Sequence, residues 1–183
     1  MQRIERLNEA DASAETAELL AAVKQQMGGV PNILGTMARS NAALSGYLGF
    51  SGALGKGKLS AKLREQIALT VAGANGCDYC ASVHTAVGGQ HGVAAEELSD
   101  NLEARSADAR TQAALTFTAK VMKTRGNVTD SDMKAARDAG FSDEELIEIV
   151  GHVALNVFTN YFNHVAGTEI DFPHVRTAGA VLA

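Results

Sequence analysis

Cys77 and Cys80 are the only two cysteines of the chain, and they sit in the run Cys77-Asp78-Tyr79-Cys80-Ala81-Ser82-Val83-His84. Two thiols spaced C-x-x-C can cycle between dithiol and disulfide. A histidine one helical turn past the second can move the proton that turns a thiol into a nucleophilic thiolate. The segment therefore points to thiol redox chemistry.

On a helix, at about 100° per residue, Cys77 and His84 lie roughly 20° apart and Cys80 about 60° from Cys77, so all three share one face. His84 stands at i+4 from Cys80, the spacing of a proton relay between imidazole and thiol. Two influences compete to choose the nucleophile. Cys77 lies near the helix N-terminus, where the macrodipole favours a thiolate, but Asp78 offsets part of that help, whereas Cys80 has the histidine. The balance favours Cys80 as attacking thiolate and Cys77 as resolving thiol. Glu65, in the middle of the preceding apolar helix, would orient or deprotonate His84 if the two helices pack as an antiparallel pair. Next to Arg64 and taken alone, it reads more readily as solvated surface.

Other readings of the same residues stay open. Cys77 and Cys80 would supply half a zinc site if His84 and His91 completed it, but spacings of three and six intervening residues are unlike common structural zinc modules. Two inert core cysteines beside a satisfied core histidine are the plainer alternative. His152 and His164 fall about 120° apart on the last helix and are assigned to packing or surface. Asn156, Asn160 and Tyr161 interrupt that apolar helix, and buried amides need partners, so they join a core network, a subunit contact or the lining of the site.

The elements that must carry these residues are helices. Apolar positions recur at helical spacing over Thr16 to Met27, and Pro31 opens a long apolar stretch to Leu54 that Gly55-Lys56-Gly57-Lys58 ends. Ser60 N-caps a helix through Ala74, on which Leu63, Ile67 and Val71 line one face. The run Ala72 to Gly76 reads as a break, with the next helix starting close to Cys77 and lasting to Gly88-Gly89. Further helices are expected over Ala94–Leu102, Ala107–Thr124, Asp130–Asp138 and Asp143 to about His164, making seven or eight in all. The segment His91 to Leu98 resembles Ala139 to Leu146 at an offset of 48 residues, a hint of internal duplication. At that offset Cys77, Cys80 and His84 fall on Arg125, Val128 and Asp132, so only the first copy would keep the chemistry.

Composition sets the outer bounds. The 183 residues suit one domain, 1–183, and 46% hydrophobic content with no Trp and two Pro reads as all-α. A formal charge of −5 without a basic, aromatic-rich face argues against nucleic acid as a partner. Without a signal-like N-terminus or a run of about eighteen apolar residues, the chain reads as soluble and cytoplasmic, with no membrane partner. In a reducing compartment a C-x-x-C pair is rarely a staple.

The run Leu63-Arg64-Glu65-Gln66-Ile67-Ala68-Leu69, followed by Ala72 to His84 with Glu65 twelve residues before Cys77, resembles the signature of alkylhydroperoxidase D (AhpD)-like proteins of the carboxymuconolactone decarboxylase superfamily, in particular the peroxidase-related branch. Weaker likeness extends from Val30-Pro31-Asn32 to Asn160-Tyr161-Phe162-Asn163 and Asp171-Phe172-Pro173. The resemblance implies an all-helical homo-oligomer, a trimer or hexamer, that reduces hydroperoxides without cofactor or metal. Cys80 would attack the peroxide and become a sulfenic acid, and Cys77 would condense with it to a disulfide. Glu65 and His84 would relay the proton, and an external dithiol or a lipoylated protein would restore the thiols. One position departs from the pattern: the best-studied alkylhydroperoxidases carry a histidine where this chain has Tyr79, and a phenol with an ordinary pKa near 10 is a poor shuttle at neutral pH. That departure keeps a non-catalytic thiol sensor as the first alternative. A carboxymuconolactone decarboxylase-like lyase, with no evident need for two redox thiols, is the second.

Overall fold

The computed structural model describes residues 2–178. Within them the chain forms a short 3-10 turn and nine α-helices: α1 Ala14–Met27, α2 Asn32–Met37, α3 Asn41–Leu54, α4 Ala61–Asn75, α5 Asp78–Gln90, α6 Ala95–Asn101, α7 Ala109–Thr124, α8 Asp130–Asp138 and α9 Asp143–Ala166. No strand occurs among the described residues, and none of these helices is long and apolar enough to cross a membrane.

The starts of these helices follow from side chains that can cap. Ser13, Ser40, Ser60, Asp108, Thr129 and Ser142 each accept the backbone N–H three residues on. This satisfies a donor that has no partner inside the helix. The same rule corrects the expectation of one helix from Pro31 to Leu54. Ser40 accepts the N–H of Ala43 and starts a new helix, so the stretch divides into α2 and α3. The expected break at Ala72–Gly76 is also narrower. Helix α4 continues to Asn75, and only Gly76, in the left-handed region at φ 67°, ends it. Gly73 stays helical and has a packing reason: a Cβ there would overlap the Leu102 carbonyl oxygen at the end of α6.

Helix α4 is the hub. It packs against α5, α6, α7 and α9. Leu63, Ile67 and Val71 meet Leu115, Ile149 and Val153 in one apolar cluster. Ala72 joins a second cluster with α1, α2, Leu44 and the first turn of α5. The cysteines belong to the second cluster and so are held in packed surroundings.

The repeat at 48 residues is visible in the fold. Shifted by that offset, the first residue of α4 falls on the first residue of α7, the last of α5 on the last of α8, and the first of α6 on the first of α9. Gly92 and Gly140, at φ 77° and 89°, occupy the same place before the third helix of each set.

Beyond α9 the chain returns over α5 without regular structure. Asp171 accepts the N–H of Asn32 at 2.8 Å, Ser82 accepts the N–H of Val175 at 2.9 Å, and Asp78 accepts the N–H of Thr177 at 2.8 Å. This strap is tied to the turn that holds the cysteines.

Candidate active site

The tight link Gly76-Cys77 turns the chain straight from α4 into α5. Cys77 is the N-cap of α5, and its Sγ accepts the backbone N–H of Cys80 at 3.4 Å. The two sulfurs, both free thiols, are 2.7 Å apart. Cys77 is 1% exposed and Cys80 3%, so both are shielded from bulk water.

This arrangement shares one proton unevenly. The hydrogen bond between the sulfurs, with the helix-start N–H, holds the Cys77 thiol below its ordinary value despite burial. Burial, then the neighbouring Cys77, pushes Cys80 well up. Cys77 is therefore the more acidic of the two thiols. Spacing alone counts His84 at i+4 from Cys80 and does not see the hydrogen bond between the sulfurs.

Antiparallel packing of α4 on α5 brings Glu65 against His84, Oε2 to Nδ1 at 2.7 Å, with both side chains part-buried. Gly88 makes room on α5 for Leu98, whose Cδ2 would lie 2.6 Å from a Cβ at that position. A carboxylate on Nδ1 fixes the tautomer and leaves Nε2 for proton exchange. All four residues singled out by spacing thus lie on one helical hairpin, the thiols at its closed end and the acid–imidazole pair further along.

Two more groups come from α9. Asn163 donates from Nδ2 to the Cys80 sulfur at 3.2 Å. One turn earlier, Asn160 accepts the Asn75 amide at 2.9 Å through Oδ1 and helps to hold the Cys80 pKa down against burial. Asn160 was noticed as a polar break in an apolar helix; Asn163, at i+3 on the same face, carried the same signal. Tyr47 of α3 is also near. Burial, and then the negative charge of Cys80, push its phenol up to about 12, and its ring lies 6.4 Å from that of Phe158.

The remaining candidates lie elsewhere. Tyr79 donates its hydroxyl to Asp171 at 2.8 Å and accepts the N–H of Ile33 at 3.2 Å, a strut between α5, α2 and the strap. Burial drives its phenol far above the ordinary value, so it keeps its proton at neutral pH and shuttles none. Asn156 bonds the carbonyl of His152 in its own helix, Tyr161 and His164 face outward, and His152 is buried. His91 is the C-cap of α5, and no three metal-ligating side chains converge among the described residues.

Residues 41–124, from the start of α3 to the end of α7, match the carboxymuconolactone decarboxylase family. Comparison with curated protein sequences gives no match. Solved structures align along most of the chain. An uncharacterized peroxidase-related protein from Silicibacter sp. TM1040 is 24% identical with a TM-score of 0.81, covering 92% of each chain. The alkylhydroperoxidase AhpD core of an uncharacterized peroxidase-related protein from Ralstonia eutropha JMP134 is 25% identical with a TM-score of 0.82, covering 93% of this chain and 94% of that one. The debrominase Bmp8, in complex with 2,3,4-tribromopyrrole, shares the fold at 20% identity and a TM-score of 0.78, covering 93% of this chain and 92% of its own. With this helical fold, and the family match running through the hairpin that carries Glu65, Cys77, Cys80 and His84, the chain is similar to the AhpD-like proteins of the carboxymuconolactone decarboxylase superfamily.

Proposed function

We propose that this chain is a thiol-dependent hydroperoxide reductase that works through a Cys77–Cys80 dithiol–disulfide cycle. The observation that carries the reading is the pair of buried sulfurs 2.7 Å apart on the same hairpin as a 2.7 Å Glu65–His84 pair. A dithiol alone suits several roles, whereas an oriented imidazole beside it suits proton transfer during bond cleavage.

In the reaction, Cys80 as thiolate attacks the terminal oxygen of a hydroperoxide. The S–O bond forms, the O–O bond breaks, and the departing alkoxide takes a proton supplied through His84 and becomes an alcohol. Cys77, as thiolate, then attacks the sulfenic sulfur. The disulfide forms and hydroxide leaves as water with a second proton. Two thiols and one hydroperoxide give one disulfide, one alcohol and one water. An external dithiol or a lipoylated protein returns the pair to thiols by exchange. The reading includes a homo-oligomer, a trimer or hexamer, supported by the outer face of α9, where Ile147, Val150, Phe158, Tyr161 and Val165 are exposed at helical spacing.

The test is consumption of tert-butyl hydroperoxide with dihydrolipoamide as reductant. Multiple turnovers that vanish in Cys80→Ser and in Cys77→Ser support the reductase. A single stoichiometric oxidation without turnover makes the pair a sensor. Thiols that stay reduced in excess hydroperoxide refute both, and a brominated pyrrole, the ligand class of the debrominase, is the next oxidant to try.

A further inference from the structure

The buried face of α9 is unusual for a core helix. His152, Asn156, Asn160 and Asn163 all point inward, and three of their polar atoms, His152 Nε2, Asn160 Nδ2 and Asn163 Oδ1, have no hydrogen-bond partner among the described residues. A buried donor or acceptor left unpaired costs stability, so each needs a reason. For Asn160 and Asn163 the reason lies at Cys80.

We propose that Asn160 and Asn163 are positioning residues for the proposed thiol chemistry: their amides receive the Cys80 sulfur as an anion, and so decide which of the two thiols attacks.

The geometry has three parts. Asn163 Nδ2 is 3.2 Å from the Cys80 sulfur and can only donate to it. A donated bond to a neutral thiol is weak, and it strengthens when the sulfur carries charge. Asn75 grips the Oδ1 of Asn160 at 2.9 Å, which fixes the orientation of that amide and leaves its Nδ2 without a partner among the described residues. Asn160 Nδ2 is thus a preset donor without a fixed acceptor, the arrangement that favours charge developing during a reaction over charge present at rest.

The other groups around Cys80 set what the amides must overcome. Cys77 on α5 is the more acidic of the two thiols, His84 on the same helix is bonded to Glu65 of α4, and Tyr47 of α3 stays protonated. Moving the shared proton across the 2.7 Å gap to Cys77 exchanges the charge between the sulfurs. Asn163 also bears on Cys77, whereas Asn160 bears on Cys80, so the bias toward Cys80 comes from the pair.

The experiment is alkylation of the reduced full chain by iodoacetamide across pH, with mass spectrometry resolving Cys77 from Cys80. In Asn163→Leu and in Asn160→Asp, which keeps the shape and the acceptor for Asn75, Cys80 labelling at pH 7 falls about tenfold and its midpoint moves up, the scale of losing one hydrogen bond to a charged group. Asn163→Ser, a smaller residue that still donates, recovers part of the loss and covers the case in which leucine prevents folding. Unchanged Cys80 labelling and midpoint in the folded variants overturns the proposal. Labelling needs no peroxide. An amide-dependent Cys80 in a protein that never forms the disulfide under hydroperoxide supports this assignment and refutes the reductase alone.

Discussion

Helices α4, α5 and α6 and helices α7, α8 and α9 follow the same course 48 residues apart, yet the first set holds both thiols and the acid–imidazole pair, while the second holds caps, ion pairs and, on α9, the amides that reach Cys80. The difference begins in the links. The first set turns through two residues, Gly76 and Cys77, which puts the start of α5 inside the protein. The second takes five, Arg125 to Thr129, and α8 starts at an exposed Thr129. Cys77 thus becomes a buried N-cap whose acceptor is sulfur, while Thr129 is an ordinary oxygen cap with Asp132 completing a capping box. His84 corresponds to that Asp132, which pairs with Lys120 at 3.7 Å, and Glu65 corresponds to Ala113. The comparison teaches that the helical frame does not supply the chemistry. It comes from a short link that buries a helix start, and from residues that exploit the protected N–H groups there.

The largest expected effect comes from giving the first set the second set's residue at the proton relay. Glu65→Ala leaves His84 without its orienting carboxylate. Hydroperoxide turnover with dihydrolipoamide is expected to drop about 10²-fold or more, at the scale of lost general acid–base catalysis, with the thermal midpoint little changed. Turnover within a factor of two of the natural protein would remove Glu65 from the relay. Glu65→Gln, which keeps a hydrogen-bond acceptor for Nδ1, is expected to fall between the two.

Next is Gly73, whose counterpart is the buried Val121. Gly73→Val drives a branched side chain into the Leu102 backbone, which no rotamer change relieves. Urea unfolding should report a loss of about 3 kcal/mol, the upper range for overpacking. The reverse change, Val121→Gly, opens a cavity beside Leu115 and Phe117 and should cost a similar amount.

How much of this contrast could be read from sequence depends on the range of each contact. The hairpin was legible because its contacts are local: Ser60 marks the start of α4, Gly76 its end, and Glu65, Cys77, Cys80 and His84 fall on neighbouring faces by helical angle alone. The division of α2 from α3 was hidden, since an apolar run shows no periodic change at Ala38–Ser40 and only the Ser40 cap reveals it. Asn163 meets Cys80 across 83 residues, a contact set by how α9 crosses the hairpin, and nothing local specifies that. Which of the two thiols is the more acidic was equally out of reach, because it rests on a distance and on burial.

His152 tests the buried face of α9 through pH. Its counterpart in the first set is Ala104, and burial, followed by the charge of Arg64, lowers its pKa from 6.5 to about 4. The folded state thus favours the neutral ring, while the unfolded chain takes up a proton near pH 6.5. Stability is full above that pH and declines as pH falls toward 4, by up to about 3 kcal/mol. Asp78, Glu97 and Glu145 are held below the ordinary carboxylate range, so their losses come at lower pH and leave this window to the histidine. Urea midpoints between pH 7 and 4.5 should fall in the natural protein and flatten in His152→Gln; parallel slopes would show that another group titrates there.

The smallest effect separates the two helix starts most cleanly. Thr129→Ala removes the oxygen that accepts the Asp132 N–H and should cost about 1 kcal/mol of stability, the usual loss for an N-cap, with hydroperoxide turnover unchanged. Cys77→Ser at the matching start keeps a good N-cap, because serine caps at least as well as a thiol, and so leaves the thermal midpoint within a few degrees while turnover vanishes. Stability lost without activity at one helix start, and activity lost without stability at the other, is the pattern expected if the repeat divides scaffold from chemistry. A Cys77→Ser variant that unfolds would instead mean that the sulfur also holds the fold together, through its packing beside Cys80 and Ala72.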